Sequence, residues 1–206
     1  MKITFPEKEL GDYKVRLMSK QDAEGVVALY RAIYGDNYPI KEMYDPQYII
    51  EQQESVLMYR VVVVDSAGNV LGHHATYRLK ETYHGLYEGG QGMVLKEYRG
   101  KGFDGALHSY IVRILMPGIG GEEIWGESVT NHVFMQKSTL SAGGKETGIE
   151  LELMPADSYE VEKSAFGRVS AVVIPHLKPC GKCRYTLRRD LHSQRGRFTG
   201  FAIRSE

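Results

Sequence analysis

The sequence predicts one mixed α/β domain rather than a run of parallel βαβ units, and three patterns predict it. Two runs rich in β-branched residues, "VLMYRVVVVD" and "VLGHHATYRL", flank the turn "SAGN" and make the clearest hairpin in the chain. A short alternating stretch and two segments of helical spacing come before the hairpin, and helix and strand patterns alternate after it. The length, 206 residues, fits a single domain with a core large enough to need neither disulfides nor a metal.

In chain order, Tyr13 to Met18 alternates as a strand, and Ser19 then offers an N-cap. Ala23, Val26, Val27, Tyr30, Ile33 and Tyr34 recur at helical spacing, and Pro46 can open a second helix reaching Gln53. After the hairpin, Tyr87 to Leu95 reads as a third strand. A helix follows from Asp104 through Leu115, with Pro117 and Gly118 as its stop. "EEIWGESV" reads as a strand, "NHVFMQKSTL" as a short helix, and "ETGIELEL" and "RVSAVVIPHL" as two more strands. The division this suggests is a domain over 1–165 and a C-terminal strand with a basic tail over 166–206.

Bulk composition narrows the function classes. No apolar run reaches the length of a membrane span, and the start "MKITFPEKEL" lacks a signal-peptide core, so a cytoplasmic protein without a membrane partner is expected. The formal net charge is zero, yet His176 to Glu206 holds eight Lys/Arg against Asp190 and Glu206. Such a tail can meet nucleic acid or an acidic partner; the reading adopted is a solvated end, with nucleic acid not expected. His176, Cys180, Cys183 and His192 carry ligand atoms enough for a tetrahedral zinc site, but the spacing fits no standard finger. Two reduced cysteines and no metal are expected.

The stretch "EYRGKGFDGALHSY" holds the main functional signal. Gly100, Gly102 and Gly105 satisfy the dinucleotide spacing, but Lys96 to Arg99 separate them from the strand and a hairpin precedes it, so the Rossmann context fails. What remains is physical. Glycines allow close backbone approach, a helix start presents unpaired N–H groups, and Arg99 and Lys101 add positive charge. That combination suits a phosphate or pyrophosphate, and equally an ordinary strand-to-helix turn.

"VLKEYRGKGFDGAL" resembles the acyl-CoA loop of the GNAT superfamily of acyl-CoA N-acyltransferases, whose pattern is Arg/Gln-x-x-Gly-x-Gly/Ala. Arg99, Gly102 and Asp104 fall on its three defined positions. The strand-helix-helix start, the hairpin and "ESVTNHVFMQKSTLSAGGKETGI" occur in matching order, so the resemblance covers about residues 13 to 155. It implies a mixed, mostly antiparallel central sheet flanked by helices, and transfer of an acetyl or similar group from acyl-CoA to an amine, with acetyl-CoA as donor. It also implies that the strand before the loop splays from its neighbour, leaving Gly92, Met93 and Val94 to bond the pantetheine arm. The N–H groups of Arg99, Gly100, Lys101, Gly102, Phe103 and Asp104 would meet the pyrophosphate, and Asn131 would bond the arm. A homodimer is compatible with the family, and related bacterial chains run on into further C-terminal sequence.

Two positions depart from the pattern. Asp104 stands where the family has Gly or Ala; a carboxylate there can cap the helix, and the reading adopted turns it away from the phosphates. The family's tyrosine on the last helix, a general acid toward the leaving thiolate, is replaced by Ser138 or Thr139, with Tyr98 and Tyr83 as possible substitutes. A base must free the attacking amine of its proton, and Glu127 is the first candidate, Glu88 the second. His73 and His74 alternate on a strand, so one of them is expected to face inward. Tyr34, Tyr38, Tyr44 and Tyr48 with Asp36, Glu42 and Asp45 suit either packing or a pocket for a cationic amine. The alternative function is an acyl-CoA sensor without catalysis.

Overall fold

The computed structural model describes residues 4–55, 57–78 and 85–177. One eight-stranded sheet runs through it in the order β1-β2-β3-β4-β5-β6-β8-β7. The strands are β1 (Lys8–Leu10), β2 (Tyr13–Leu17), β3 (Met58–Val64), β4 (Val70–Tyr77), β5 (Leu86–Val94), β6 (Glu123–Val129), β7 (Gly148–Met154) and β8 (Val169–Leu177). Every neighbouring pair is antiparallel except β5 with β6. The expected mostly antiparallel sheet is therefore present. The "RVSAVVIPHL" strand lies between β6 and β7, so a unit ending at residue 165 would lose an interior strand.

Helices cover both faces. α1 (Ala23–Tyr34) and α2 (Pro46–Glu54) pack Val26, Tyr30 and Ile49 against Val62, Val64 and Met93. Pro46 opens α2 as its spacing predicted, and the Asp45 carboxylate accepts the Gln47 N–H at 2.9 Å. On the other face α3 (Phe103–Tyr110) sets Leu107 and Tyr110 against Val61, Val63 and Leu71. With both faces covered, His73 and His74 are both buried, each on its own side, where one alone was expected. None of the helices among the described residues is long and apolar enough to cross a membrane.

Of the expected stop at Pro117 and Gly118, the helical path ends at Gly118 and runs through Pro117. The helix widens into a π turn over Ile111–Leu115, and Pro117 sits inside the final turn α4 (Met116–Gly118), with Ile119 N–H bonding Leu115 C=O at 3.0 Å. A proline near the start of a new turn costs no intrahelical bond, because those N–H groups are unpaired anyway. The strand β1 was not foreseen, being three residues of mostly exposed side chains. The last helix, α5 (Phe134–Ser141), starts three residues later than its apolar pattern suggested.

The parallel pair β5/β6 is cut short. Its register runs from Leu86↔Glu123 to Gly89↔Gly126 and ends there, while β6 continues with β8 to Val129↔Ala171 and β5 continues with β4 to Gly72↔Val94. At the last paired position there is no room for a side chain: a Cβ on Gly126 would stand 2.7 Å from Gly89 O. Gly126→Ala should therefore destabilise the domain by about 1–3 kcal/mol. Gly148→Ala, whose methyl meets nothing, should stay within ~0.5 kcal/mol. Denaturant unfolding of both variants measures the difference.

Candidate active site

Among the described residues the edge of β5 that faces β6 has no strand partner beyond Gly89, so Gly92, Met93 and Val94 lie along a cleft between the parted strands. A bulge breaks the β4/β5 register between Ala75↔Gly90 and His73↔Met93, and at its centre Gln91 takes a φ of 55°. Two buried side chains hold this bulge. The Tyr30 hydroxyl donates to Gln91 Oε1 at 2.8 Å, and His73 Nδ1 lies 3.0 Å from Gln91 O. A carbonyl only accepts, so His73 carries its proton on Nδ1; burial holds the imidazole neutral, its pKa well below the ordinary value.

At the end of the cleft the chain turns through Gly100 and Gly102, both at φ 81°, into the first turn of α3. An L-residue pays in this region, so the glycines are there for the turn. Two of the six N–H groups assigned to a pyrophosphate are already spent: Arg99 N–H reaches Lys96 O at 3.3 Å and Lys101 N–H reaches Tyr98 O at 3.4 Å. Those of Gly100, Gly102, Phe103 and Asp104 have no backbone acceptor among the described residues. Asp104 forms no hydrogen bond or ion pair there either. It acts through its charge alone, raising the pKa of His74 and His132 against the burial that lowers both. It is not a helix cap.

Arg99 donates from Nε to Val94 O at 3.1 Å and from Nη2 to the Glu162 carboxylate. Lys101 Nζ lies 4.6 Å over the Tyr98 ring. Asn131 donates from Nδ2 to Ser164 Oγ at 3.1 Å, while its Oδ1 is buried without a partner. Asn131 opens onto a cavity of about 320 Å³ lined also by Ser164, Phe166 and Arg168.

On the α1/α2 side of the parted strands, Glu88 and Glu127 face the same space. Tyr77 donates its hydroxyl to Glu88 Oε1, and a Cβ on Gly90 would stand 2.9 Å from that hydroxyl oxygen. Burial, a hydrogen bond with Glu150 and the charges of Glu88 and Glu150 push Glu127 up to about 8. Burial raises Glu88 too, against the opposing Tyr77 bond. Ion pairs to Glu88, Glu127 or Glu150 are absent among the described residues. A carboxyl titrating near 8 can hold or release a proton at neutral pH.

Other candidates are not brought to this place. The ring of Tyr98 packs on Phe103 at 5.8 Å and on Tyr13 of β2 at 6.2 Å. That is four strands from β6 and on the opposite face from Glu127, so the structure does not bring Tyr98 and Glu127 together. Thr139 Oγ1 bonds Met135 O at 2.8 Å, and Ser138 lines a small cavity with His108. The tyrosines in and after α1 pack on one another, Tyr34 tilted against Tyr38 at 4.9 Å and Tyr30 edge-on to Tyr38 at 4.8 Å. Their neighbouring carboxylates are engaged elsewhere, Asp36 with Arg31 and Asp45 as the α2 cap. His176 Nε2 meets His108 Nε2 at 3.0 Å; Tyr83, Cys180, Cys183 and His192 lie outside the described residues. Among the described residues no cluster of three or more His, Cys, Asp or Glu is arranged for a metal.

Neither family models nor curated proteins match the chain. Solved structures do. A ribosomal-protein-S5-alanine acetyltransferase from Vibrio fischeri superposes with a TM-score of 0.68 at 14% identity, covering 86% of this chain and 99% of that one. An N-acetyltransferase from Staphylococcus aureus gives 0.65 at 16%, over 81% and 99%. A protein from Salmonella typhimurium solved with its cofactor acetyl-CoA gives 0.64 at 14%, over 81% and 94%. The chain has the GNAT fold. Within that fold the sequence reading missed Tyr77, Glu150, Glu162 and Ser164, whose places depend on strand register and on a loop more than thirty residues away in sequence.

Because Glu127 is held near 8 against an ordinary 4.5, the folded chain binds more protons than the unfolded one between those values, and its stability falls as pH rises through that window. Glu127→Gln removes the ionisation. Its Tm should match the parent near pH 4.5 and exceed it at pH 8, as thermal unfolding across the window would show.

Proposed function

We propose that the chain is an acyl-CoA-dependent N-acyltransferase that passes an acetyl or similar group to an amine. The observation that carries the reading is the parting of β5 and β6 after Gly89/Gly126, with the cationic glycine loop at one end of the cleft and Glu127 at the other. The acetyl-CoA of the Salmonella neighbour supports that donor.

The residues present fit such a donor. The open edge of β5 at Gly92–Val94 offers backbone groups to an extended amide-bearing arm, and the buried, unpartnered Asn131 Oδ1 is an acceptor for one of its N–H groups. The free N–H groups of Gly100, Gly102, Phe103 and Asp104, with Arg99 and Lys101, suit its phosphates. The donor supplies an acyl thioester; everything else is done by the chain. Glu127, once ionised, takes the proton that an ammonium must lose before it can attack. Tyr77, tied to Glu88 beside Gly90, is the phenol placed toward the reacting region. The Tyr30 and His73 bonds hold the bulge at Gln91 in place as the acceptor arrives.

A second reading, a donor-binding sensor without turnover, is favoured by one observation: α5 offers no acid, since Thr139 spends its hydroxyl on Met135 O. Release of thiol with a panel of amines separates the two.

General-base removal costs about 10²–10⁴-fold, so Glu127→Gln should lower kcat by that order with nearly unchanged CoA affinity. The kcat/KM profile of the parent should rise through a pH near 8 as Glu127 ionises, and the variant should lose that limb. Full activity in the variant would remove Glu127 from the mechanism. Gly102→Val forces a branched residue into φ 81° where the phosphates approach, and calorimetric titration should show CoA binding abolished in a folded protein.

A further inference from the structure

The segment between β7 and β8 has one foot on each side of the cleft. On the acceptor side, Ser158 Oγ donates to Asn37 O at 3.2 Å and Asn37 Nδ2 donates to Glu160 Oε2 at 3.0 Å. The Tyr159 ring stands edge-on to Tyr34 at 6.3 Å. On the donor side, Glu162 takes Arg99 Nη2 and Ser164 accepts from Asn131 Nδ2 at 3.1 Å. Only one residue, Val161, separates Glu160 from Glu162. The rest of the segment is lightly held: Phe166 is fully exposed, Val161 is 51% exposed, and Lys163 takes a φ of 50°.

Arg99 and Asn131 are two of the side chains that the acyltransferase reading assigns to the donor, from opposite walls of the cleft. The same short segment touches both, taking Arg99 Nη2 and Asn131 Nδ2 and leaving Asn131 Oδ1, the atom offered to the arm, unbonded among the described residues. A pyrophosphate and the Glu162 carboxylate are both anions in search of the Arg99 guanidinium, and placing them together brings like charges into contact. One must leave. The carboxylate that leaves is two residues from the one held by Asn37, so the exchange on one wall pulls on the other.

We propose that residues 158–164 form a strap whose Glu162 competes with acyl-CoA for Arg99 and couples the donor site to the acceptor side, so that the donor's arrival loosens the Asn37 foot. The proposal rests on the acyltransferase reading of the cleft. A contact between two partly exposed charges is modest, so releasing it should change affinity by a small factor.

Calorimetric titration with CoA, on the full chain, tests this. Glu162→Gln keeps the shape and removes the charge, and should tighten the Kd by roughly two- to five-fold. Asn37→Ala removes the Glu160 bond of the far foot, keeping the Ser158 bond to its backbone carbonyl, without touching the cleft's donor wall, and should also tighten it by a smaller factor. Amide hydrogen exchange should speed up over 156–164 when CoA is added. If the parent binds CoA but Glu162→Gln binds it equally or more weakly, or Asn37→Ala leaves the Kd unchanged, the strap is overturned while the donor site stands. If neither parent nor variants bind CoA, the reading of the cleft fails and takes the strap with it. If Glu162→Gln binds where the parent does not, competition is supported in its strongest form.

Discussion

The parting of two parallel strands is the constraint on which the rest depends. A sheet satisfies its backbone groups by pairing, and an interior strand that loses a neighbour half-way along leaves N–H and C=O groups without one. Here β5 is held to β4 along its length while β6 is drawn away by β8, and β8 is itself held by β7. The separation is thus built by the order of strands and does not depend on any single side chain. What the side chains contribute is the pivot. Gly89 and Gly126 allow the backbones to touch at the last paired position, and the bulge at Gln91, pinned by Tyr30 and His73, turns β5 immediately beyond it.

The cleft that results is polarised. Arg99, Lys101 and the first turn of α3 give its loop end a positive character, whereas Glu88, Glu127 and Glu150 make the α1/α2 end acidic. Burial first, then the hydrogen bond with Glu150 and the charges of Glu88 and Glu150, hold Glu127 up near 8. An ammonium entering there would ease the ionisation of its own acceptor for the proton. The arrangement therefore supports amine chemistry more directly than any one residue does.

Much of this was legible in the sequence because it is local. The hairpin, α1, the proline start of α2 and the glycine turn into α3 follow from spacing and turn chemistry within a dozen residues. Glu127 was legible as a strand-end carboxylate. Tyr77 was not, because its partner Glu88 is set by the β4/β5 register across a bulge. Tyr98 was misplaced for the complementary reason: its sequence position beside Arg99 says nothing of the turn that sends its ring back to Tyr13 and Phe103. The place of β8 inside the sheet required a long-range pairing that no local pattern encodes, and so did the occupation of Arg99 by Glu162.

The carboxylates around the loop differ in what holds them, and that difference answers how Asp104 is tolerated. Glu162 is bound to Arg99 from a lightly held segment, so it can move aside. Asp104 is fixed in the first turn of a packed helix, where the helix dipole favours a negative charge. It takes neither Arg99 nor a helix N–H, so the donors needed for an anion remain available despite its presence. A carboxylate at this position would oppose an anion through its charge and, more strongly, by consuming those donors, and here the one that takes Arg99 belongs to the other segment. The family pattern asks for Gly or Ala at this point because a small residue cannot interfere; Asp104 meets the same requirement by leaving the turn's N–H groups and Arg99 unbonded to itself.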